Sequence, residues 1–286
     1  MANLKEIRNR IASVSSTMQI TSAMKMVSAA KLKKAQDAIT AMRPYADKLT
    51  ELLQSLSASL DSDSGSKFSE QRPVNKVLLV AITSNRGLCG AFNSNIIKEV
   101  TKLAKEDYQD KEVHYLVIGK KANDAFKKSG KVIANKSEIF DDLTFDNVAD
   151  VAQMMMDKFV EGEFDKIEIV YNHFKNAATQ VVKTEQFLPI MSMSSESNKT
   201  LDYIFEPSKI EIVQELIPKS LKTQLFKAVR DSFASEHGAR MTAMHKATDN
   251  ATEMRDQLKL TYNKARQAAI TGEILEIVGG AEALNS

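Results

Sequence analysis

Two long stretches of coiled-coil spacing, one at each end of the chain, constrain the fold more than anything between them. From Leu4 to Leu60 the residues Leu4, Ile7, Ile11, Val14 and Met18, then, after a gap, Leu32, Ala35, Ile39, Met42, Ala46, Leu49, Leu53, Leu56 and Leu60, recur at alternating steps of three and four. The first glycine is Gly65. At about 1.5 Å per residue such a helix runs on the order of 85 Å, too long to be buried within an ordinary domain. The second stretch opens at Glu206-Pro207-Ser208, a helix-start signal. It continues through Ile210, Val213, Ile217, Leu221, Leu225 and Ala228 into Met241, Met244, Thr248, Ala251, Leu258, Ala265 and Ala269. Pro218 and Gly238 are expected to weaken or kink it without ending it. Each helix has an apolar face that needs a partner. Two helices at opposite termini, separated by a compact middle, can pair antiparallel. The expectation is an intramolecular two-stranded coiled coil made by residues 1–60 and 207–286.

The middle, residues 73–195, has a different period. A polar, serine-rich run from Asp61 to Arg72 breaks the heptads and reads as a link. Lys76 to Ile82 is a continuous apolar run, the pattern of a strand covered on both faces of a parallel sheet. Helices are predicted over Asn93–Asp107, Lys120–Lys128 and Phe145–Val160, and strands over Glu112–Ile118 and Lys131–Ala134. Lys166–Phe174 and Thr179–Leu188 form an antiparallel pair across a tight Lys175-Asn176-Ala177 turn. Strands alternating with helices imply a small Rossmann-like α/β sheet. Met191 to Asn198 reads as an exposed loop. The fold class is α/β with a long antiparallel coiled coil.

Composition removes several classes of function. No apolar run approaches the roughly 18 residues that a membrane-spanning helix needs. MANLKEIRNRI enters the first heptad at once, which predicts no leader and a cytoplasmic chain. The single cysteine, Cys89, suits a reducing compartment. A net charge of only +2 argues against nucleic acid as the main partner. Yet up to Lys48 the first helix sets Lys5, Arg8, Arg10, Lys25, Lys31, Lys33, Lys34, Arg43 and Lys48 against Glu6, Asp37 and Asp47. That is a solvated basic face or one that seeks an acidic surface.

The turn SNRGLCGAFN, residues 84–93, follows the first strand and opens a helix, the position of a phosphate cradle. Its glycines, Gly87 and Gly90, fit neither GxGxxG nor GxxxxGK[ST], so it reads as a tight turn. His114, His173, His237 and His245 lack metal-ligand spacing. No carboxylate pair or activated thiol emerges, and the Met154-Met155-Met156 run reads as adaptable core packing. No catalytic residue, cofactor or metal is expected.

Three strings, ITSAMKMVSAAKL at 20–32, SNRGLCGAFN at 84–93 and ARMTAMHKATDNATEMRDQLKLTYNKARQAAITGEILEIVGGAEAL at 239–284, resemble the gamma subunits of rotary F-type ATP synthases. The resemblance implies a non-catalytic central-stalk rotor: an antiparallel coiled-coil shaft with an α/β foot. Such a subunit turns inside a ring of alpha and beta subunits, with the epsilon subunit and the membrane c-ring as further partners. It couples ion flow to ATP synthesis or hydrolysis as a peripheral protein on the cytoplasmic face of the bacterial cell membrane. Met24 and Lys25, with Arg240 on the other helix, are placed by the resemblance near the acidic lever of the beta subunits. Around them the heptad is read as interrupted, with Met24 and Val27 replacing Thr21, Lys25 and Ser28. Arg266, Gln267, Thr271 and Glu273 are placed against a catch loop of one beta subunit. Ile274, Leu275, Ile277, Val278 and Leu284 would form a bearing tip in a hydrophobic sleeve. The family usually has aspartate where Asn85 stands, glycine at Ala91, alanine at Gly238 and a long polar residue at Gly272, so lower helix stiffness is expected at the two glycines. The cysteine-containing insertion of chloroplast members is absent, and with it that form of thiol control. The rival readings are a coiled-coil scaffold carrying a nucleotide-binding Rossmann-like domain, an enzyme acting on a nucleotide, and a nucleic-acid binder.

Overall fold

The computed structural model describes residues 4–57, 67–190 and 209–285. The expected link at 61–66, the loop at 191–198 and the helix start at 206–208 lie outside the described residues, as do the side chains of Leu53, Leu56, Leu60, Ile210, Val213 and Leu284. The chain divides into two compact units, Met1–Ser28 with Met241–Ser286, and Ala29–Arg240. The long helices α1 (Leu4–Ser57, 54 residues) and α5 (Lys209–Asn285, 77 residues) each contribute to both. Helix α5 is continuous through Pro218 and Gly238.

The larger unit holds the sheet. Its strands are β1 (Lys76–Ile82), β2 (Glu112–Ile118), β3 (Val132–Asn135), β4 (Lys166–Phe174) and β5 (Gln180–Leu188), in the order β3-β2-β1-β4-β5. The β1–β2, β1–β4 and β2–β3 pairs are parallel, and β4–β5 is antiparallel as expected. Central strand β1 is buried from Val77 to Ile82 because both faces are covered, which is why its sequence does not alternate. On one face Val77, Leu79 and Ala81 pack with Ile96, Val100 and Leu103 of α2 (Phe92–Lys105) and with Ala122 and Phe126 of α3 (Lys120–Phe126). On the other, Leu78, Val80 and Ile82 pack with Val148, Val151, Met155 and Phe159 of α4 (Phe145–Val160) and with Ile217, Leu221, Leu225, Ala228 and Val229 of α5. These α5 residues, expected in the coiled-coil seam, therefore help to form the core of the sheet. The Met155 and Met156 side chains are fully buried, as core packing requires.

Local chemistry explains the element ends. Thr144 caps α4 by accepting the Asn147 N–H at 3.4 Å. Helix α3 stops at Phe126, short of the expected Lys128, and a 3-10 turn at Lys127–Ser129 leads to the left-handed Gly130. The β4–β5 link occupies 175–179. Asn176 Oδ1 accepts the N–H groups of Ala178 (3.0 Å) and Thr179 (2.7 Å), which fixes a wider turn than the expected tight one.

In the smaller unit the two helices pair antiparallel. Arg8 donates to the Tyr262 hydroxyl (2.8 Å), Arg255 lies 3.5 Å from the Met18 sulfur, and Thr248 donates to Thr21 Oγ1 (2.9 Å). Residue numbers on α1 thus rise as those on α5 fall. Ile7, Met244 and Ala251 are buried, with Leu4, Ile11, Val14, Met18, Leu258 and Ala265 half-buried beside them. The predicted seam is present here. One expectation is corrected: the heptad is not interrupted at Thr21 to Ser28. Thr21 is half-buried and Ser28 buried, whereas Val27 is exposed. Both hydroxyls bond back to their own helix, Thr21 to the Met18 carbonyl (3.1 Å) and Ser28 to that of Met24 (2.8 Å), so small polar residues occupy the seam without loss of hydrogen bonding.

Candidate interaction surfaces

The predicted contact residues of the smaller unit lie on accessible helix faces. Met24 and Lys25 are half-exposed, and Arg266, Gln267, Thr271 and Glu273 are exposed. The side chains of Ile274, Leu275, Ile277 and Val278 are 54–71% exposed. The antiparallel register explains this: Arg8 already pairs with Tyr262, so α1 is nearly spent there and α5 continues without it. Ile20, Met26 and Val27 are likewise exposed on α1. Apolar side chains projecting from a helix that lacks a seam partner call for a surface from another chain.

Arg240 differs from the other predicted contacts. It is buried, its Nη1 lies 2.6 Å from Glu236 Oε1, and its Nε and Nη2 reach the carbonyl oxygens of Gly87 (3.4 Å each) and Arg86 (3.3 Å). His237 Nδ1 lies 3.4 Å from the same guanidinium and accepts from it. Burial, then the charges of Arg240 and Lys31, hold the imidazole neutral, with its pKa down to about 3. Burial raises the Glu236 carboxyl, and Arg240 opposes that rise. Nearby, Asp231 is buried at 2.7 Å from His173 Nδ1, and Ser235 donates to the Asn172 carbonyl at 3.0 Å, joining α5 to β4. Sequence reasoning missed this polar stretch. The signal was the lapse in apolar spacing between Ala228 and Met241, where DSFASEHGAR places buried Asp231, Ser232, Ser235, Glu236, His237 and Arg240.

The 84–93 turn is built to offer carbonyls, not to cradle an anion. The Ser84 N–H donates to Asn93 Oδ1 (2.9 Å), the Phe92 N–H to the Cys89 carbonyl (3.2 Å), and the Arg86 and Gly87 carbonyls face a cation. A phosphate would need those N–H groups free. Asn85 uses both ends of its amide: Oδ1 accepts the Lys120 N–H (3.0 Å) and Nδ2 donates to the Ser137 carbonyl (3.0 Å). An ionised aspartate could not make the second bond. Cys89 is buried, and burial pushes its thiol up, the opposite of an activated nucleophile. Among the described residues no group of three or more His, Cys, Asp or Glu could hold a metal ion. A shallow depression of about 250 Å³ lined by Lys76, Glu112, His114, Ile133, Glu163 and Phe164 offers one weak pair, His114 Nε2 to Glu112 at 3.5 Å. No helix of the described residues is long and apolar enough to cross a membrane.

A unit built on a mixed five-stranded sheet, terminal helices that pair antiparallel, and an exposed apolar helix end define an assembly subunit, a protein whose surfaces are made for other chains. Residues 3–284 match the family model described as ATP synthase. Over 285 residues the chain is 75% identical to the ATP synthase gamma chain of Flavobacterium psychrophilum, with 99% of each chain covered. Over 286 residues it is 72% identical to that of Flavobacterium johnsoniae, with 100% of each covered. It is also similar to a chain in the central stalk and c-ring structure of the Tetrahymena thermophila mitochondrial ATP synthase. There the identity is 26% and the TM-score 0.59, over 80% of this chain and 99% of that one. The chain belongs to the gamma-chain family of ATP synthases.

Proposed function

We propose that this chain is the central-stalk rotor subunit of a bacterial F-type ATP synthase, coupling ion flow through a membrane c-ring to catalysis in a ring of alpha and beta subunits. The observation that carries the reading is the end of α5, where large apolar side chains stand exposed beyond the α1 seam, with polar Arg266, Gln267, Thr271 and Glu273 just before and among them. In this reading Ile274, Leu275, Ile277 and Val278 run in a hydrophobic sleeve, with Leu284 beyond them. Arg266, Gln267, Thr271 and Glu273 engage one beta subunit, and Met24 and Lys25 meet an acidic lever of the same subunits. The sheet unit binds epsilon and the c-ring. Placed peripherally on the cytoplasmic face of the membrane, the chain carries no catalysis of its own.

The mechanism is differential contact. Along the paired stretch α1 exposes Arg8 and Arg10 whereas α5 exposes Asp249, Glu253 and Asp256, so each orientation shows a different surface to a surrounding subunit. A shaft with identical faces would favour no nucleotide state, whereas an asymmetric one shifts each site in turn. The test is to assemble the chain with alpha and beta subunits fixed to a surface and follow a bead attached to the sheet unit. ATP-driven stepwise rotation is expected. Sustained hydrolysis with a stationary bead overturns the rotor reading.

A further inference from the structure

Leu88 is the one described non-glycine residue with a left-handed backbone (φ 61°), and its side chain is 64% exposed. Such a conformation persists where the surroundings over-determine it, and the turn is held from two sides. From its own two ends, Ser84 Oγ just after β1 donates to the Arg86 carbonyl at 2.6 Å, and Asn93 Nδ2 in the first turn of α2 donates to the Cys89 sulfur at 3.2 Å. From α5, Arg240 reaches the Arg86 and Gly87 carbonyls, the two residues immediately before Leu88. All three guanidinium nitrogens are engaged inside the chain, with Glu236 and His237 completing the set. A buried cation with its partners already in place has little left to offer a separate subunit directly.

We infer that Arg240 is a positioning residue: it fixes the Arg86–Leu88 turn so that Leu88 is presented outward, and it serves coupling through the shape of that turn and not through contact of its own charge with a partner. The second half of this statement rests on the rotor reading; the first does not. The role differs from direct contact in a measurable way. Cys89 follows Leu88, is buried, and is the chain's single cysteine, so its reaction with a thiol reagent reports opening of the turn without interference.

The experiment measures the labelling rate of Cys89 by 5,5′-dithiobis(2-nitrobenzoate) in the folded full-length chain. Arg240→Ala is expected to raise it by at least about tenfold, the scale of losing charge-assisted hydrogen bonds to carbonyls. Arg240→Lys, which keeps the charge but not the fork, should fall between. Arg240→Met with Glu236→Gln, which leaves no buried charge unpaired, should raise the rate too, and so guards against simple unfolding. Leu88→Ser, with Arg240 in place, should leave it unchanged. Wild-type labelling rates in both Arg240→Ala and the double variant overturn the positioning role. In the assembled complex, coupling lost by Arg240→Lys without any rise in labelling would show that the guanidinium acts by direct contact, and overturns the inference. Faster labelling with intact coupling overturns its second half alone.

Discussion

Gly119 leaves no room for a side chain. Its φ is +117°, and a Cβ there would lie 2.2 Å from the Thr83 carbonyl oxygen, on the backbone segment that joins β1 to the 84–93 turn. Thr83 cannot withdraw, because its N–H donates to the Ile118 carbonyl (2.8 Å) and its Oγ1 accepts from Ala122 (2.9 Å). Gly119→Ala is therefore expected to destabilise the chain by about 3 kcal/mol, read by urea unfolding. His237 gives a prediction of different form. Its folded pKa is about 3 against an ordinary 6.5, so between those values the unfolded chain holds a proton that the folded chain does not. Stability then rises with pH across that window. Glu236, with its carboxyl raised, acts in the opposite sense nearer the carboxylate range. The clean interval is accordingly the upper part of the window. His237→Phe, beside the edge-to-face ring of Phe233, should unfold with a shallower dependence of free energy on pH there than the wild type. An unchanged slope would mean that the imidazole is not kept neutral by burial.

At the scale of elements, what the sequence made legible followed from periodicity. The unbroken apolar run of β1 could only be a doubly covered strand, and the bounds of α4 and β4 are as read, because a cap or a long apolar pattern marks them. Side chains that satisfy themselves at a distance stayed hidden. Thr21 and Ser28 look like breaks in a seam until their hydroxyls are seen bonded to their own helix, and no spacing rule links Arg240 to carbonyls 153 and 154 residues away. Gly238 is instructive for the same reason. Helix propensity alone predicts that alanine would gain about 1 kcal/mol there. A Cβ at 238 would, however, lie 3.1 Å from the Ala177 carbonyl oxygen and 3.3 Å from its Cα, in the β4–β5 link that Asn176 braces. The glycine is a point of close approach and not a soft spot. Gly238→Ala should show none of the propensity gain in a thermal melt, and Gly238→Val should lose about 2 kcal/mol from overpacking. A melting temperature raised by the alanine would show that the link yields.

For the whole molecule, the resemblance supplied the partner residues, and the physical question is whether they belong to the fold or to the assembly. Arg266 and Gln267 are exposed on the stretch of α5 near the start of α1, and among the described residues neither side chain hydrogen-bonds within the chain. Removing them takes nothing from the core and replaces two good helix formers by the best one, so the isolated chain should melt no lower than the wild type. If these side chains hold the shaft to one beta subunit, each supplies directional bonds, partly charged, worth about 1.5–3 kcal/mol where water is shut out. That energy must be released and remade as the shaft turns, so it bears on turnover and coupling while leaving folding alone. Arg266→Ala with Gln267→Ala is thus expected to lower ATP synthesis in the assembled complex several-fold at an unaltered melting curve of the free chain. The measurement is synthesis and ion pumping in vesicles, with assembly verified by subunit stoichiometry. Wild-type rates in fully assembled complexes would remove both residues from the partner contact and leave the remaining proposed contacts and the exposed apolar end of α5 to hold the shaft.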